Sequence, residues 1–509
     1  MTAKFWTFLI TTLLLVTGCS KSEVVTTYEQ EVAKQDYSKQ QPTQEDANNN
    51  SVPIAFTTFT PKSAATRTIT NLTDLQNSAG FGVFGYYTHQ GTWTDGSDGV
   101  TTDGRYHYTG DGSSYSTEAT IPNFMYNQNV SYGSSWDYSP VKYWPNDFAG
   151  NNNAVDNQSA KGSKISRVTF FAYAPWVDVN TTGSSLGLRK TPASYGGIKS
   201  ISANNVTGDP IISYELADEM TLSNCPEDFL YAVVPGTGYT NNGADGSTNT
   251  TYSGNDLYLN MVKPKLSDAP IPFSFKHAVA RFDLSVTALF DEAEHTISSK
   301  VIDDYTYIKL QKVSVSCPKA ATFNLRTKEW SADGSAKGSF VISGTDILEN
   351  LRYTGTETAA TIAKGVGRDA SSGTIIPAKT KDASNNDIVN PDLYQPVLSS
   401  GNYFIFMPVN GDTGTMDFEV TAHYHVFTKD KRMLNDLADI ENIITNTVSV
   451  PVEKEGTYSI NMLLGMQSVK LKVNQYRNGE KQDVPDASRP EIWPYYTQAD
   501  ENWRLPFNE

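Results

Sequence analysis

Apolar side chains return at every second position in one run after another of this chain: Tyr458, Ile460, Met462 and Leu464, then Val469, Leu471 and Val473. Shorter runs repeat the pattern at Ile308 and Leu310, Val313 and Val315, Phe404 and Phe406, and Phe418, Val420 and Ala422. A period of two sends alternate side chains to opposite faces of an extended backbone, so each run reads as a strand with one face in a core and one in water. Gly, Asn, Asp and Ser clusters separate the runs and supply the turns between them. Such a chain cannot make a helical bundle, and the pattern predicts an all-β fold. One segment departs from it: Met433, Leu437, Ile440 and Ile444 keep helical spacing before Thr445 to Val450 turns β-like again, and predict a short helix or an irregular excursion. Charged residues are only 19% and aromatics 11%, with 28 Tyr and 22 Phe, too little charge and too many rings for a disordered chain. A length of 509 residues is most simply two or three domains.

The N-terminus speaks to compartment. Lys4 precedes an apolar run from Phe5 to Val16, too short to span a bilayer but suited to the apolar region of a signal peptide. Val16-Thr17-Gly18-Cys19 follows directly and resembles a bacterial lipobox, which implies that residues 1–18 are removed and that Cys19 is acylated as the new N-terminus. Ser20 is not an aspartate of the kind that retains lipoproteins at the inner membrane, so the expected destination is the outer membrane and cell surface, held by lipid. Residues 19–51 are rich in Gln, Asn, Glu and Asp and read as a polar spacer. No later segment approaches 18 consecutive apolar residues.

Along the remainder, Lys-Pro-Lys-Leu-Ser-Asp-Ala-Pro-Ile-Pro, ending at Pro272, interrupts the strand text with prolines that are expected to stay out of a central strand. The break divides the chain into 52–265 and 266–475, with a polar tail at 476–509. Asp95-Gly96, Asp98-Gly99, Asp103-Gly104 and Asp111-Gly112 suit turns that need positive φ, and none has the carboxylate spacing that wraps a calcium ion. They read as surface turns.

Signs of catalysis are absent from the text. There is no G-x-x-x-x-G-K-[ST] loop, no H-E-x-x-H and no C-x-x-C. Glycosidase carboxylates come from distant strands that no spacing reveals, and no residue nominates itself for that work. His423 and His425 stand two apart on an expected strand and so face the same way, half of a metal site, but no third ligand is close in sequence. No catalytic residue, metal or cofactor is therefore assigned. Cys225 and Cys317 each precede a proline and either pair in an oxidising compartment or fill small apolar sites. The 40 basic and 56 acidic residues leave a charge of −16, which argues against nucleic acid as a partner.

Four segments carry a resemblance: Trp136-Asp137-Tyr138-Ser139-Pro140-Val141-Lys142-Tyr143-Trp144-Pro145, Val168-Thr169-Phe170-Phe171-Ala172-Tyr173-Ala174-Pro175, Pro226-Glu227-Asp228-Phe229-Leu230-Tyr231-Ala232, and the stretch from Ile271-Pro272-Phe273-Ser274-Phe275-Lys276-His277 to Leu284. In order and spacing they resemble the fimbrillin-like lipoproteins of Bacteroides-type bacteria, over about residues 52 to 475. Physically they read as core: aromatic strands, one reaching a proline, another with Phe273 and Phe275 on one face. The resemblance implies two transthyretin-like β-sandwich domains in tandem and a structural or adhesive subunit of surface fimbriae rather than an enzyme. It also implies assembly by strand exchange, in which a trypsin-like maturation protease cuts after an arginine, one strand leaves, and the groove takes a strand from another fimbrial subunit, like or unlike. Here the cut would fall between Arg67 and Thr68, and the displaced strand would carry Ile54 and Phe56. The strand donated onward would hold Tyr458, Ile460, Met462, Leu464, Val469, Leu471 and Val473, since the tail after Asn474, with its four prolines, makes a poor strand. Scattered Tyr and Trp also suit stacking on sugars, so a host or bacterial glycan or protein ligand is a further expected partner, and a monomeric glycan-binding lipoprotein is the competing reading.

Overall fold

The computed structural model describes residues 52–59, 72–89, 122, 124–145, 167–179, 196–203, 209–226, 228–243, 249–264, 270–288, 307–357, 379–381, 387–389, 395–428, 438–465, 467–477 and 480–485. The strands begin with β1 (Ala55–Phe59), β2 (Phe81–His89), β3 (Met125–Tyr132), β4 (Trp136–Asp137), β5 (Arg167–Ala174), β6 (Gly197–Ser202), β7 (Ile211–Glu215) and β8 (Glu219–Met220). They continue as β9 (Leu230–Val233), β10 (Tyr239–Asn242), β11 (Asn249–Tyr252), β12 (Tyr258–Val262), β13 (Pro270–His277), β14 (Ala280–Ala288), β15 (Tyr307–Pro318), β16 (Ala320–Asn324), β17 (Glu329–Ala332) and β18 (Lys337–Ser343). The last are β19 (Lys379–Lys381), β20 (Asp387–Val389), β21 (Gln395–Pro396), β22 (Phe404–Phe406), β23 (Met416–Thr428), β24 (Ala438–Val450), β25 (Thr457–Leu464), β26 (Val469–Arg477) and β27 (Glu480–Val484). One short helix, α1 (Leu72–Asn77), buries Leu75 and ends in a turn at Gly80, whose φ of +81° and close approach to the Val130 carbonyl exclude a side chain. The chain is thus nearly all-β, as its alternation dictates.

The largest sheet runs β1-β13-β9-β5-β2-β3-β4, with β12 also on β5. Two of its inner strands, β5 and β9, are apolar on both faces. On β5, Val168, Phe170 and Ala172 enter one core with Phe56, Trp136 and Phe273, while Phe171 and Tyr173 enter a second. β9 divides the same way, Leu230 and Ala232 to the first core and Tyr231 and Val233, with Phe229 just ahead of the strand, to the second. That is why these strands read as near-continuous apolar text rather than as a clean alternation.

Across the second core lies a four-stranded sheet, β17-β16-β7-β6, in which Ile212, Tyr214, Ala321 and Phe323 face inward. The same core continues between β24-β23-β15-β18-β8 and β21-β14-β25-β26-β27, the latter with β22 also on β14. Phe282 of β14 meets Phe340 at 5.2 Å and Phe418 at 6.0 Å between ring centres, edge to face in both cases. Across β14, β25, β26 and β27 a polar ladder crosses the sheet, buried at Ser285, Asn461 and Asn474 and ending at the exposed Asp483. Ser285 Oγ donates to Asn461 Oδ1 at 2.5 Å, Asn461 Nδ2 to Asn474 Oδ1 at 2.7 Å, and Asn474 Nδ2 to Asp483 Oδ1 at 2.5 Å. Satisfied polar groups of this kind fix the register of the strands they join.

Two sequence expectations meet a different outcome. Ile440 and Ile444 lie on β24, not on a helix. A spacing of four returns to the same face of a strand as well as of a helix, and Ile440, Asn442, Ile444, Asn446 and Val448 all lie on the more buried face of β24. Met433 and Leu437 lie outside the described residues. Second, Pro270 and Pro272 sit inside β13, between β1 and β9 in the sheet order. β9 reaches only Ser274 to His277, so the prolines occupy the length of β13 that has β1 as its one neighbour and needs no second set of donors. Strand pairs span position 265, where the sequence places a division: β13 pairs with β1 and β9, β16 with β7, and β18 with β8. The Asp-Gly turns at 95–112 lie outside the described residues.

Candidate functional site

β1 is the outer strand of the largest sheet and the most unusual in its pairing. It runs parallel to β13, from Ala55 opposite Pro270 to Phe59 opposite Ser274, while the residues just before it are held by a different segment. Ile54 N–H donates to the Lys142 carbonyl and Trp144 N–H to the Val52 carbonyl, both at 2.8 Å, and the Tyr138 hydroxyl donates to the Ile54 carbonyl at 2.8 Å. Burial raises the Tyr138 phenol well above its ordinary value, so it stays a neutral donor.

The side chains that alternate along this strand, Val52, Ile54 and Phe56, all enter the first core. Phe56 stacks on Phe273 at 5.3 Å with planes 14° apart and meets Phe81 and Phe170 edge to face. Full burial of an Ile or Phe side chain contributes about 1.5–3 kcal/mol each, so β1 is well seated although it is an edge. All four segments singled out in the sequence converge on this sheet: Trp136, Tyr138 and Trp144 beside β1, then β5, β9 and β13. Phe273 and Phe275 enter the same core, as their spacing predicts.

The other expected site residues fall elsewhere. Cys19, Arg67 and Thr68 lie outside the described residues. Tyr458, Ile460, Met462 and Leu464 are on β25, between β14 and β26, and Val469, Leu471 and Val473 are on β26, between β25 and β27. All seven are buried, so a subunit folded in this way uses them for its own core. The outer strand at that side is β27, which is polar (Glu480, Lys481, Gln482, Asp483).

Cys225 and Cys317 are not joined in a disulfide, and burial pushes the Cys317 thiol up to about 12, an inert side chain at neutral pH. His277, at the end of β13, forms a buried ion pair with Asp228, Nδ1 to Oδ2 at 2.9 Å. His423 and His425 do face the same way on β23, and the neighbouring strand β24 supplies what the sequence left out. Glu441 lies 18 positions from His423, yet its Oε1 is 2.6 Å from the ring Nε2. No local spacing exposes a third donor that comes from the adjacent strand; only the register of a long hairpin does.

No protein-family model matches the chain. It is 22% identical to the fimbrium subunit Fim1C of Phocaeicola vulgatus over 424 residues, 82% of this chain and 86% of that protein. Among solved structures, a fimbrial protein from Bacteroides vulgatus matches at 15% identity with a TM-score of 0.43, over 84% of this chain and 98% of that one. A protein from Bacteroides uniformis described as a cell adhesion protein matches at 10% identity with a TM-score of 0.29, over 86% and 99%. The resemblance to fimbrial proteins of Bacteroides-type bacteria, read from four aromatic segments, is thus matched by a curated relative along most of the chain.

Proposed function

We propose that this chain is a structural or adhesive subunit of cell-surface fimbriae, exported as a lipoprotein through Cys19 and assembled by strand exchange after cleavage between Arg67 and Thr68. On this reading its sheets make two transthyretin-like sandwiches, and its role is non-enzymatic. The Fim1C relative supports the fimbrial part. The observation that carries the assembly part is the position of β1: among the described residues it is an outer strand whose ladder partner is β13, and its alternating side chains fill a groove lined by Phe81, Tyr138, Phe170 and Phe273. Everything N-terminal to Thr68, β1 included, leaves with such a cut. The vacated groove then presents unpaired backbone groups of β13 and an apolar floor, which an extended strand from another subunit satisfies by backbone hydrogen bonds and alternate side chains.

The test is N-terminal sequencing of protein from sheared surface fractions, beside an unboiled denaturing gel. A start at Thr68 with a ladder of multimers is expected. A lipidated start at Cys19 with monomer alone would sink the cleavage and exchange mechanism.

A further inference from the structure

The outer face of β23 and its neighbours gathers a second constellation, independent of the groove under β1. His423 and His425 hold their rings 5.8 Å apart between centres and 25° from parallel. The donor atoms of His423, His425 and Glu441 lie within 4.8 Å of one another. His425 is gripped on several sides: Asp439 Oδ1 is 2.8 Å from Nδ1, Gln311 Oε1 is 2.9 Å from Nε2, and the Tyr353 ring lies flat on the imidazole at 3.8 Å between centres. Gln311 reaches it because β15 shifts register between Leu310 and Lys312, an irregularity that re-aims a side chain. Lys309, opposite His425 on β15, has its ammonium bonded to the Asn350 carbonyl at 2.6 Å, and the exposed Lys312 stands opposite His423.

We propose that His423, His425 and Glu441 bind a divalent transition-metal ion of the zinc class. Two imidazoles and a carboxylate are a donor set that such ions take, in preference to the all-oxygen sets of calcium or magnesium. Asp439 supplies the outer partner characteristic of ligating histidines: it accepts the Nδ1 proton of His425 and leaves the lone pair on Nε2. The Gln311 amide oxygen stands 2.9 Å from Nε2, a further oxygen donor beside the same ring. The Glu441 side chain is 58% exposed and that of His423 19%, which leaves both room to rotate toward ligand distances of about 2.0–2.2 Å. A bound ion would pin β24, the outermost strand of its sheet, to β23.

The exported chain, treated with EDTA and titrated calorimetrically with Zn2+ near neutral pH, tests this. One ion per chain is expected, with His423→Asn and Glu441→Gln each weakening binding at least about tenfold and Asp439→Asn by about 10- to 100-fold, all with unchanged circular dichroism. Co2+ offered in place of Zn2+ should give a visible absorption band that Glu441→Gln alters. Absence of stoichiometric Zn2+ binding overturns the site, as does binding that both His423→Asn and Glu441→Gln leave unchanged. In that outcome the Gln311 amide simply turns to donate to His425.

Discussion

Thr58 shares a face of β1 with Ile54 and Phe56, is 1% exposed, and its hydroxyl has no hydrogen-bond partner among the described residues. A buried hydroxyl without a partner costs about 1–3 kcal/mol, so Thr58→Val should stabilise the intact chain by about 1 kcal/mol in denaturant unfolding. The buried pair at Asp228 and His277 carries a pH signature. Burial alone would lower the imidazole, but the Asp228 carboxylate outweighs it, with a smaller contribution from Glu455 against Arg281, and holds His277 above its ordinary value. A raised folded-state value contributes stability that is complete below the unfolded value of about 6.5 and is lost as pH rises through the folded one. Stability measured across that window should therefore fall toward alkaline pH by this contribution. Asp228→Asn should flatten the profile and cost about 3 kcal/mol, because it leaves His277 buried without its counter-charge.

At the scale of elements, alternation was a good guide wherever a strand buries one face. β23 follows it closely, with Phe418, Val420, Ala422, Tyr424 and Val426 in the core and His423 and His425 on the opposite face. It failed where spacing was degenerate, at Ile440 and Ile444 of β24, and where a proline's neighbour mattered more than the proline, at Pro270 and Pro272 of β13. The seat of β1 was legible in part. Ile54 and Phe56 announced an apolar strand, but its parallel partner lies more than 200 residues onward and no local rule pairs them. Phe56→Ala should cost about 3–5 kcal/mol through the cavity it leaves among Phe81, Phe170 and Phe273. A chain beginning at Thr68 should gain thermal stability from an added peptide of residues 52–59 and none from the same peptide carrying Phe56→Asp. Equal stabilisation by both peptides would refute a specific groove.

Across the whole molecule, strand pairs span the division that the sequence places at 265. Residues 52–265 lack β13, which carries Phe273 and Phe275 into the first core, and lack the hairpin of β16 and β17, which returns to pair with β7. Phe323 and Trp330 of that hairpin meet Phe229 at 5.3 and 5.8 Å, and the Trp330 indole donates to the Ala278 carbonyl at 2.7 Å, at the link between β13 and β14. A fragment of residues 52–265 should therefore show no cooperative thermal transition by near-ultraviolet circular dichroism, whereas the intact chain should. A fragment that melts cooperatively would contradict the interlock. This returning hairpin could not be read from the sequence, because its alternation at Ala321 and Phe323 is the same whichever sheet receives it.

The parallel pairing of β1 with β13 has a mechanical consequence. A load entering ahead of Val52 and leaving through Ala280 pulls the two strands along their length in opposite senses, so their backbone hydrogen bonds are sheared together instead of being opened one after another. Pulled singly from residue 52 against residue 280, the molecule should rupture at higher force than when pulled from residue 59 against residue 280, which peels the same strand from its free end. A surface tether at the N-terminal side, as proposed, would meet β1 in its strong direction, and the proposed cut behind the strand would remove that load path altogether.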